Sequence, residues 1–209
     1  TFTKPLKNFA ESVQISYYEN NNKLGGFLNS LLPGKIKRQQ RDSYHFIPNG
    51  LSTPIPLAAS SSLVTELAPI SILENRIKMG SVLILEEPEA HLHLAAQREM
   101  AKTIVRMVNK GCKILITTHS DTFLQQLNNL ILLNDLDNKD ELLKEFDLCD
   151  EDTISKDLVS AYEFNCNGND TSVIEMKFDK YGFVAKSLNE VLENLSNQTS
   201  KILYSISES

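Results

Sequence analysis

Two short apolar runs stand out along the chain, Ser81–Leu85 and Lys113–Thr118, and the first directly follows Gly80. Runs of this kind are typical of strands that are buried on both faces of a parallel sheet. The segment between them, Leu94–Asn109, has the pattern of a helix and is followed by Lys110-Gly111, a helix-terminating signal. Strand, helix and strand at this spacing predict a βαβ unit with parallel strands.

The flanking segments predict shorter elements, which extend this unit into an α/β domain with a small antiparallel appendage. In chain order they are a strand at Tyr44–Pro48, a helix at Ser60–Ile77 with a serine N-cap, a helix or helix-strand pair at Thr122–Leu133, a hairpin formed by Val159–Asn165 and Thr171–Phe178, and a terminal helix at Leu188–Leu195.

Composition narrows the class of protein. The chain has 209 residues, of which 41% are hydrophobic and 23% charged, and these values exclude a disordered or fibrous chain. No apolar run approaches the roughly 18 residues of a membrane helix. The net charge of −6 arises from one segment, Asp135–Asp157, with ten acids and three lysines, which predicts a solvated linker or lid. Three cysteines without a CxxC spacing predict a reducing, cytoplasmic location.

The first apolar run ends in two adjacent carboxylates, Glu86 and Glu87, followed by Pro88-Glu-Ala-His-Leu-His93. The carboxyl ends of parallel strands are where open α/β folds bind ligands. Neighbouring strand residues point in opposite directions, so one acid can hold hydrated Mg²⁺ while the other orients or deprotonates a water molecule. The structural alternative for two acids alone is a solvated turn.

The second run delivers a histidine to the same edge of the sheet, in the sequence Thr117-Thr-His119-Ser-Asp121. A histidine at that edge can contact a γ-phosphate. The two motifs together resemble the Walker B strand and the switch-histidine loop of ABC-type ATPases. The closest likeness is to the RecF/SMC/OLD-like branch, and within it to prokaryotic stand-alone AAA family ATPases. It is close over residues 45–134 and looser over 159–206.

The resemblance implies the C-terminal lobe of a parallel-sheet P-loop NTPase that uses ATP and Mg²⁺ and dimerises through its ATPase heads. It also implies a role for each matching position. Glu86 would be the acid on the Mg²⁺ side, acting through water, Glu87 the catalytic base and His119 the γ-phosphate switch. Pro88, Glu89 and His91 would belong to a loop that faces the nucleotide and the partner subunit. Ser60, Ser61 and Ser62 would form a signature-like helix start that acts in trans.

Three positions depart from the family pattern. Glu86 stands where Asp is commoner, the signature-like serines lack the usual glycine, and Leu94 replaces a proline. A P-loop is also missing, because the one Gly-Lys pair, Gly34-Lys35, has Asn29 and Ile36 where the motif needs glycine and Ser or Thr. We therefore expect the P-loop in an upstream half of the same protein, and we expect this chain alone to be inactive.

The expected organisation is a partial N-terminal region at 1–50, an ATPase core at 51–134, the acidic linker or lid at 135–158, and a hairpin plus helix at 159–209. The expected function is ATP hydrolysis that drives an effector in DNA maintenance or anti-phage defence. The expected partners are a nuclease or another effector protein, and nucleic acid is a further candidate. No membrane partner is expected. One alternative is a non-catalytic regulatory or dimerisation module. Another is the ATPase part of an OLD-like nuclease, for which Asp135-x-Asp137 would be the metal-binding pair. A zinc site at His91-x-His93 lacks further ligands at suitable spacing.

Overall fold

A computed structural model describes Leu28 and residues 31–39, 43–73, 77–168 and 170–207. Most of the expected N-terminal region at 1–50 lies outside this set. The described strands are β1 Gly34–Arg38, β2 Tyr44–Pro48, β3 Ile55–Pro56, β4 Val82–Glu86, β5 Lys113–Thr117, β6 Ala161–Asn167, β7 Asp170–Met176, β8 Phe178–Asp179 and β9 Gly182–Phe183. The described helices are α1 Ser62–Leu73, α2 Leu94–Asn109, α3 Asp121–Asn134, α4 Lys139–Glu145 and α5 Lys186–Ser207.

The central βαβ unit is confirmed. β4 and β5 pair in parallel, from Val82 opposite Lys113 to Glu86 opposite Thr117. The helix α2 between them has the bounds that the sequence predicts. Because both strands run in the same direction, the loops that follow Glu86 and Thr117 leave the sheet at the same edge.

The prediction that these strands are buried on both faces is wrong for the described part of the molecule. Leu83, Leu85, Ile114 and Ile116 point inward and pack against the core. On the other face, Val82, Ile84 and Leu115 are 70%, 75% and 61% exposed. Side chains alternate along a strand, and within residues 31–39, 43–73, 77–168 and 170–207 only one face of this sheet is covered.

The core has two main parts, and α2 contributes to both. Met100, Ala101 and Ile104 of α2 pack with α1, Phe46 and Phe123 next to the sheet. One residue further round the helix, Val105 packs with Leu130, Ile131, Ile154 and Phe183. α2 and α3 both contribute to the two parts, because Phe123 of α3 belongs to the first and Leu130 and Ile131 of α3 belong to the second.

The only Gly-Lys pair of the sequence opens a strand. Gly34 and Lys35 begin β1, which pairs antiparallel with β2, and Gly34 lies opposite Pro48. A methyl group on Gly34 would meet the carbonyl oxygen of Ile47 at 2.3 Å, so close strand packing accounts for this glycine. A P-loop requires such a pair at a loop-to-helix junction, and this pair is in a sheet.

The acidic segment folds as the helix α4 and two 3₁₀ turns, Asp150–Asp152 and Lys156–Leu158. Asp152 is 1% exposed, and its Oδ1 accepts a hydrogen bond from Nε of Arg106 at 2.6 Å. Asn109 donates from its side-chain amide to the backbone oxygens of Glu151 and Thr153. This part of the acidic segment is therefore fastened to the end of α2.

The pKa of Asp152 reflects these contacts. Burial acts to raise the pKa, but hydrogen bonds from Arg106 and from the backbone and thiol of Cys149, with the positive charge of Arg106, outweigh it. The net pKa of Asp152 lies below its ordinary value.

Asp135 and Asp137, the candidate metal-binding pair of an OLD-like nuclease, lie between α3 and α4 and do not follow a strand.

The predicted C-terminal hairpin is confirmed, with β6 and β7 paired antiparallel over seven residues each. The short β8–β9 hairpin follows, and the Phe178 and Phe183 rings meet edge to face, 5.0 Å between centroids. α5 is longer than the predicted helix and extends from Lys186 to Ser207. Among the described helices, none combines the length and apolar character needed to cross a membrane.

Candidate functional site

The site begins where β4 ends. Glu86 is the last residue of the strand and lies on its exposed face with Val82 and Ile84. Glu87 follows in a left-handed conformation, with φ of 44°, which is unfavourable for a residue with a side chain. Its backbone N–H donates to the carbonyl oxygen of Thr117 at 3.0 Å and lies 3.3 Å from the hydroxyl oxygen of the same residue. These contacts fix the backbone of Glu87 against the end of β5.

His119 lies beside Glu87 at this edge. Its Nε2 is 3.6 Å from Oε1 of Glu87, and the two side chains are 87% and 47% exposed. The distance allows an ion pair when the imidazole is protonated. The structure thus brings together the predicted base and the predicted phosphate sensor, and it leaves both open to a ligand.

Glu89 has a different environment. Its side chain is only 4% exposed. Oε1 accepts a hydrogen bond from the hydroxyl of Thr118 and a second from the backbone N–H of His119 at 3.3 Å. The second oxygen, Oε2, is buried with no hydrogen-bond partner among the described residues. The buried carboxylate is therefore in direct contact with the loop that contains His119.

The two histidines of the loop also differ from each other. His91 is exposed in a left-handed conformation, with φ of 62°. His93 is the N-cap of α2, and its Nδ1 accepts a hydrogen bond from the backbone N–H of Ala95 at 3.3 Å. Helix capping therefore accounts for His93. In the part of the chain that the structure describes, no group of three His, Cys, Asp or Glu residues could hold a metal ion.

A cavity of about 170 Å³ lies between α1 and the end of β4. Its lining combines carboxylates with apolar side chains. The residues concerned are Glu66, Leu67, Ile70, Ile84, Leu85, Glu86, Glu87, Pro88 and Ala90. Pro88 is thus placed at the cavity, next to the two carboxylates.

The signature-like serines lie at the start of α1. The hydroxyl of Ser60 donates to the carbonyl oxygen of Pro56 at 3.1 Å, and the carbonyl oxygen of Ser61 accepts from the backbone N–H and hydroxyl of Thr65. Ser61 and Ser62 are exposed. No hydrogen bond of the described residues joins these serines to Glu87 or His119.

Magnesium fits the donor set at Glu86. The carboxylate is an exposed hard oxygen ligand at the carboxyl end of β4, at the edge of the parallel sheet. Mg²⁺ commonly keeps several water ligands and takes one or two carboxylates together with substrate phosphates, so a single carboxylate is sufficient.

Sequence reasoning assigned no role to Thr117, Thr118 or Gln97. The two threonines bond to the loop that follows β4, and Gln97 accepts a hydrogen bond from the hydroxyl of Ser120 at 2.6 Å. Thr117 and Thr118 directly precede His119 in the sequence, and this position next to a candidate site residue could have indicated their role.

The model of the AAA ATPase domain family matches residues 1–124. No curated protein matches the chain. A structure described as "Structural biochemistry of ATP-driven dimerization and DNA stimulated activation of SMC ATPases" is similar with a TM-score of 0.50 and 12% identity, over 92% of this chain and 96% of that one.

A second structure is an SMC head bound to the C-terminal winged-helix domain of ScpA, with a TM-score of 0.48 and 11% identity. It is matched over 84% of this chain and 45% of that one, so this chain spans less than half of its length. At 12% identity, the first likeness is one of fold, that of an SMC ATPase head. The family match extends over more than half of the 209 residues, and the chain therefore belongs to the AAA ATPase domain family.

Proposed function

We propose that this chain supplies the hydrolytic edge of an ATP-hydrolysing, ABC-like head in the full-length protein. The observation that carries the proposal is the approach of His119 to Glu87, with 3.6 Å between Nε2 and Oε1 at an exposed sheet edge. A base and a phosphate-contacting group must both reach the γ-phosphate for hydrolysis. Two loops that follow parallel neighbouring strands provide such an arrangement.

Each side chain then has a defined task. The Glu87 carboxylate accepts a hydrogen bond from the attacking water and takes its proton. His119 donates to the γ-phosphate and reports its presence. Glu86 would hold Mg²⁺ through water, and the bound ion would supply charge neutralisation for the phosphates.

The remaining positions act between subunits. In a head-to-tail dimer, Pro88 and His91 face the partner head. Ser60, Ser61 and Ser62 offer the N-terminus of α1 to the nucleotide of the partner, where helix amides and the helix dipole favour phosphate. The likeness to an SMC ATPase whose description includes ATP-driven dimerisation supports this proposal.

The P-loop is the part that this chain does not supply. Gly34-Lys35 opens strand β1 and does not lie at the start of a helix, and we propose that an upstream half of the same protein supplies the P-loop. The complete head would then drive an effector, and we propose DNA maintenance or anti-phage defence, beside a nuclease or another effector protein, as its setting. This last step rests on the resemblance of the two motifs and on the SMC-like fold.

A non-catalytic regulatory module is the second candidate. The absence of a usable Gly-Lys motif favours it, because a head without P-loop amides binds phosphate weakly. The OLD-like nuclease has less support, since Asp135 is the C-cap of α3 and the required pair of acids belongs at the end of a strand.

The deciding experiment is Glu87→Gln in the full-length protein. We expect ATP turnover to fall about 10²- to 10⁴-fold, the usual contribution of a general base. ATP affinity should stay close to that of the wild type, because the amide preserves the shape of the side chain. Glu66→Gln is the matched control, since this residue lines the same cavity from α1. Unchanged turnover in Glu87→Gln would show that Glu87 is not the base, and a full-length wild type that binds no nucleotide would favour the regulatory module.

A further inference from the structure

We propose that Glu89 is a positioning residue for His119. Its buried carboxylate accepts hydrogen bonds from the loop that contains His119 and so holds that loop in place. The inference rests on the proposed function, because it assigns a task within the same site. It concerns a residue that the sequence places in the nucleotide-facing loop and that the structure buries. Glu89 acts on the nucleotide only through His119.

The first observation is the pair of hydrogen bonds at Oε1 of Glu89. The Thr118 hydroxyl and the backbone N–H of His119 both donate to this one oxygen. Thr118 and His119 follow β5, whereas Glu89 follows β4. One carboxylate oxygen therefore fixes the backbone of His119 relative to the loop that contains Glu87.

The second observation is that the bonds continue past His119. The hydroxyl oxygen of Thr118 accepts from the backbone N–H of Ser120 at 3.1 Å. Ser120 is the N-cap of α3, where its hydroxyl accepts from Phe123, and it donates to Gln97 of α2. His119 is thus anchored on both sides along the chain, while its imidazole is exposed. Because the backbone is already held, His119 can contact a phosphate without a large loss of backbone conformational entropy.

The third observation is the unsatisfied oxygen. Oε2 of Glu89 is buried and has no hydrogen-bond partner in the described ranges. A buried carboxylate of this kind is unfavourable for stability, and an apolar side chain would avoid the desolvation. A neutral amide could still accept both hydrogen bonds through its carbonyl oxygen, and this property allows positioning to be separated from charge.

The test compares Glu89→Ala, Glu89→Gln and Thr118→Val in the full-length protein. In Glu89→Ala we expect ATP turnover to fall about 10- to 100-fold, the scale of a small misplacement of a catalytic group. The dissociation constant for ATP should remain within about threefold of wild type, because other groups supply the binding. Glu89→Gln should recover turnover to within about threefold, since it retains the acceptor.

A second readout requires no nucleotide. The imidazole resonances of His119, assigned with His119→Gln, should shift in Glu89→Ala and in Thr118→Val, while those of His45 in β2 stay in place. Thr118→Val removes one donor and keeps the side-chain shape, so it tests the inference even if Glu89→Ala fails to fold. Unmoved His119 resonances in the folded variants overturn the inference.

Asp152→Ala is the matched control. Asp152 is also a buried carboxylate, but it pairs with Arg106 toward the far end of α2. The control should lower the thermal unfolding midpoint and leave the turnover of the folded protein within about twofold of wild type. Equal loss of turnover in Asp152→Ala and Glu89→Ala, or a Glu89→Gln variant as slow as Glu89→Ala, overturns the positioning role. A wild type without ATP turnover defeats the proposed function, and the resonance test of Glu89 still stands.

Discussion

His119 and Glu87 meet across the edge of the parallel sheet, with Nε2 of the imidazole 3.6 Å from Oε1 of the carboxylate. They come from the loops after β5 and β4, and the backbone N–H of Glu87 is itself bonded to Thr117. Each loop therefore restrains the other. The two side chains form one unit, and a change to one should alter what the other can do.

The first prediction concerns the coupling within this unit. His119→Gln should lower ATP turnover of the full-length protein about 10²-fold, because a contact to the γ-phosphate is lost. The double variant with Glu87→Gln should be little slower than Glu87→Gln alone, because residues that act as a unit are not additive. Single-turnover rates of the four proteins measure the coupling. Additive losses would indicate that the two residues act independently.

The pairing of these two residues could be predicted from the sequence. The apolar runs at Ser81–Leu85 and Lys113–Thr118 predict parallel strands, and parallel strands bring their carboxyl ends to one edge. The burial of Glu89 could not be predicted in the same way. Glu89 and His91 belong to the same polar loop, and only the folded turn shows that Glu89 is buried whereas His91 is exposed.

The exposed face of the sheet is a second feature that could not be predicted from the sequence. A run of consecutive apolar residues indicates that both faces of a strand avoid water, but it does not indicate which segment covers them. In the described residues Leu83 and Leu85 are covered, whereas Val82 and Ile84 are not. The sequence pattern is local, and the covering of a face depends on segments that are distant along the chain.

The second prediction concerns His93 and the start of α2. His93→Ala should lower the free energy of unfolding by about 1 kcal/mol, because the backbone N–H of Ala95 loses its acceptor. His93→Asp should retain most of the stability, since Asp is a good N-cap. Urea unfolding measures both variants. His91→Asn is the control, because Asn tolerates the left-handed conformation at this position.

Elemental analysis of the same variants tests the zinc alternative. Helix capping accounts for His93 without a metal, so the purified wild type and both histidine variants should contain no stoichiometric zinc. One zinc ion per chain in the wild type, lost in His93→Ala and in His91→Asn, would contradict this assignment.

The third prediction is a pH dependence of stability that arises from Asp152. Its folded pKa lies below its ordinary value of 3.8, so the folded state favours the ionised form. The stabilisation is therefore complete above the unfolded pKa, and it is lost as the pH falls below about 4 and through the folded pKa. Asp152→Asn should lower the free energy of unfolding at pH 7 by about 3 kcal/mol, because the buried Arg106–Asp152 pair loses its negative charge.

The comparison of variants at two pH values checks the sign. The stability difference between wild type and Asp152→Asn should be largest near pH 7 and should shrink as the pH falls below about 4. Asp150→Asn is the control, since Asp150 is exposed and pairs with Lys139 at the surface. An exposed pair of this kind contributes about 0.2–1 kcal/mol. A constant difference for Asp152→Asn across this pH range would contradict the assignment.

The fourth prediction concerns the attachment of the C-terminal segment to the core. The buried side-chain amide of Asn128 in α3 accepts from the backbone N–H of Phe183 at 2.9 Å and donates to its carbonyl oxygen at 3.0 Å. Asn128→Ala removes both hydrogen bonds and leaves two buried backbone groups unpaired, so it should lower the free energy of unfolding by about 2–4 kcal/mol. Asn129→Ala is the control, because Asn129 is exposed in the same helix. Hydrogen exchange of the Phe183 amide should rise in Asn128→Ala alone, and equal exchange in both variants would show that this pair does not hold β9 to α3.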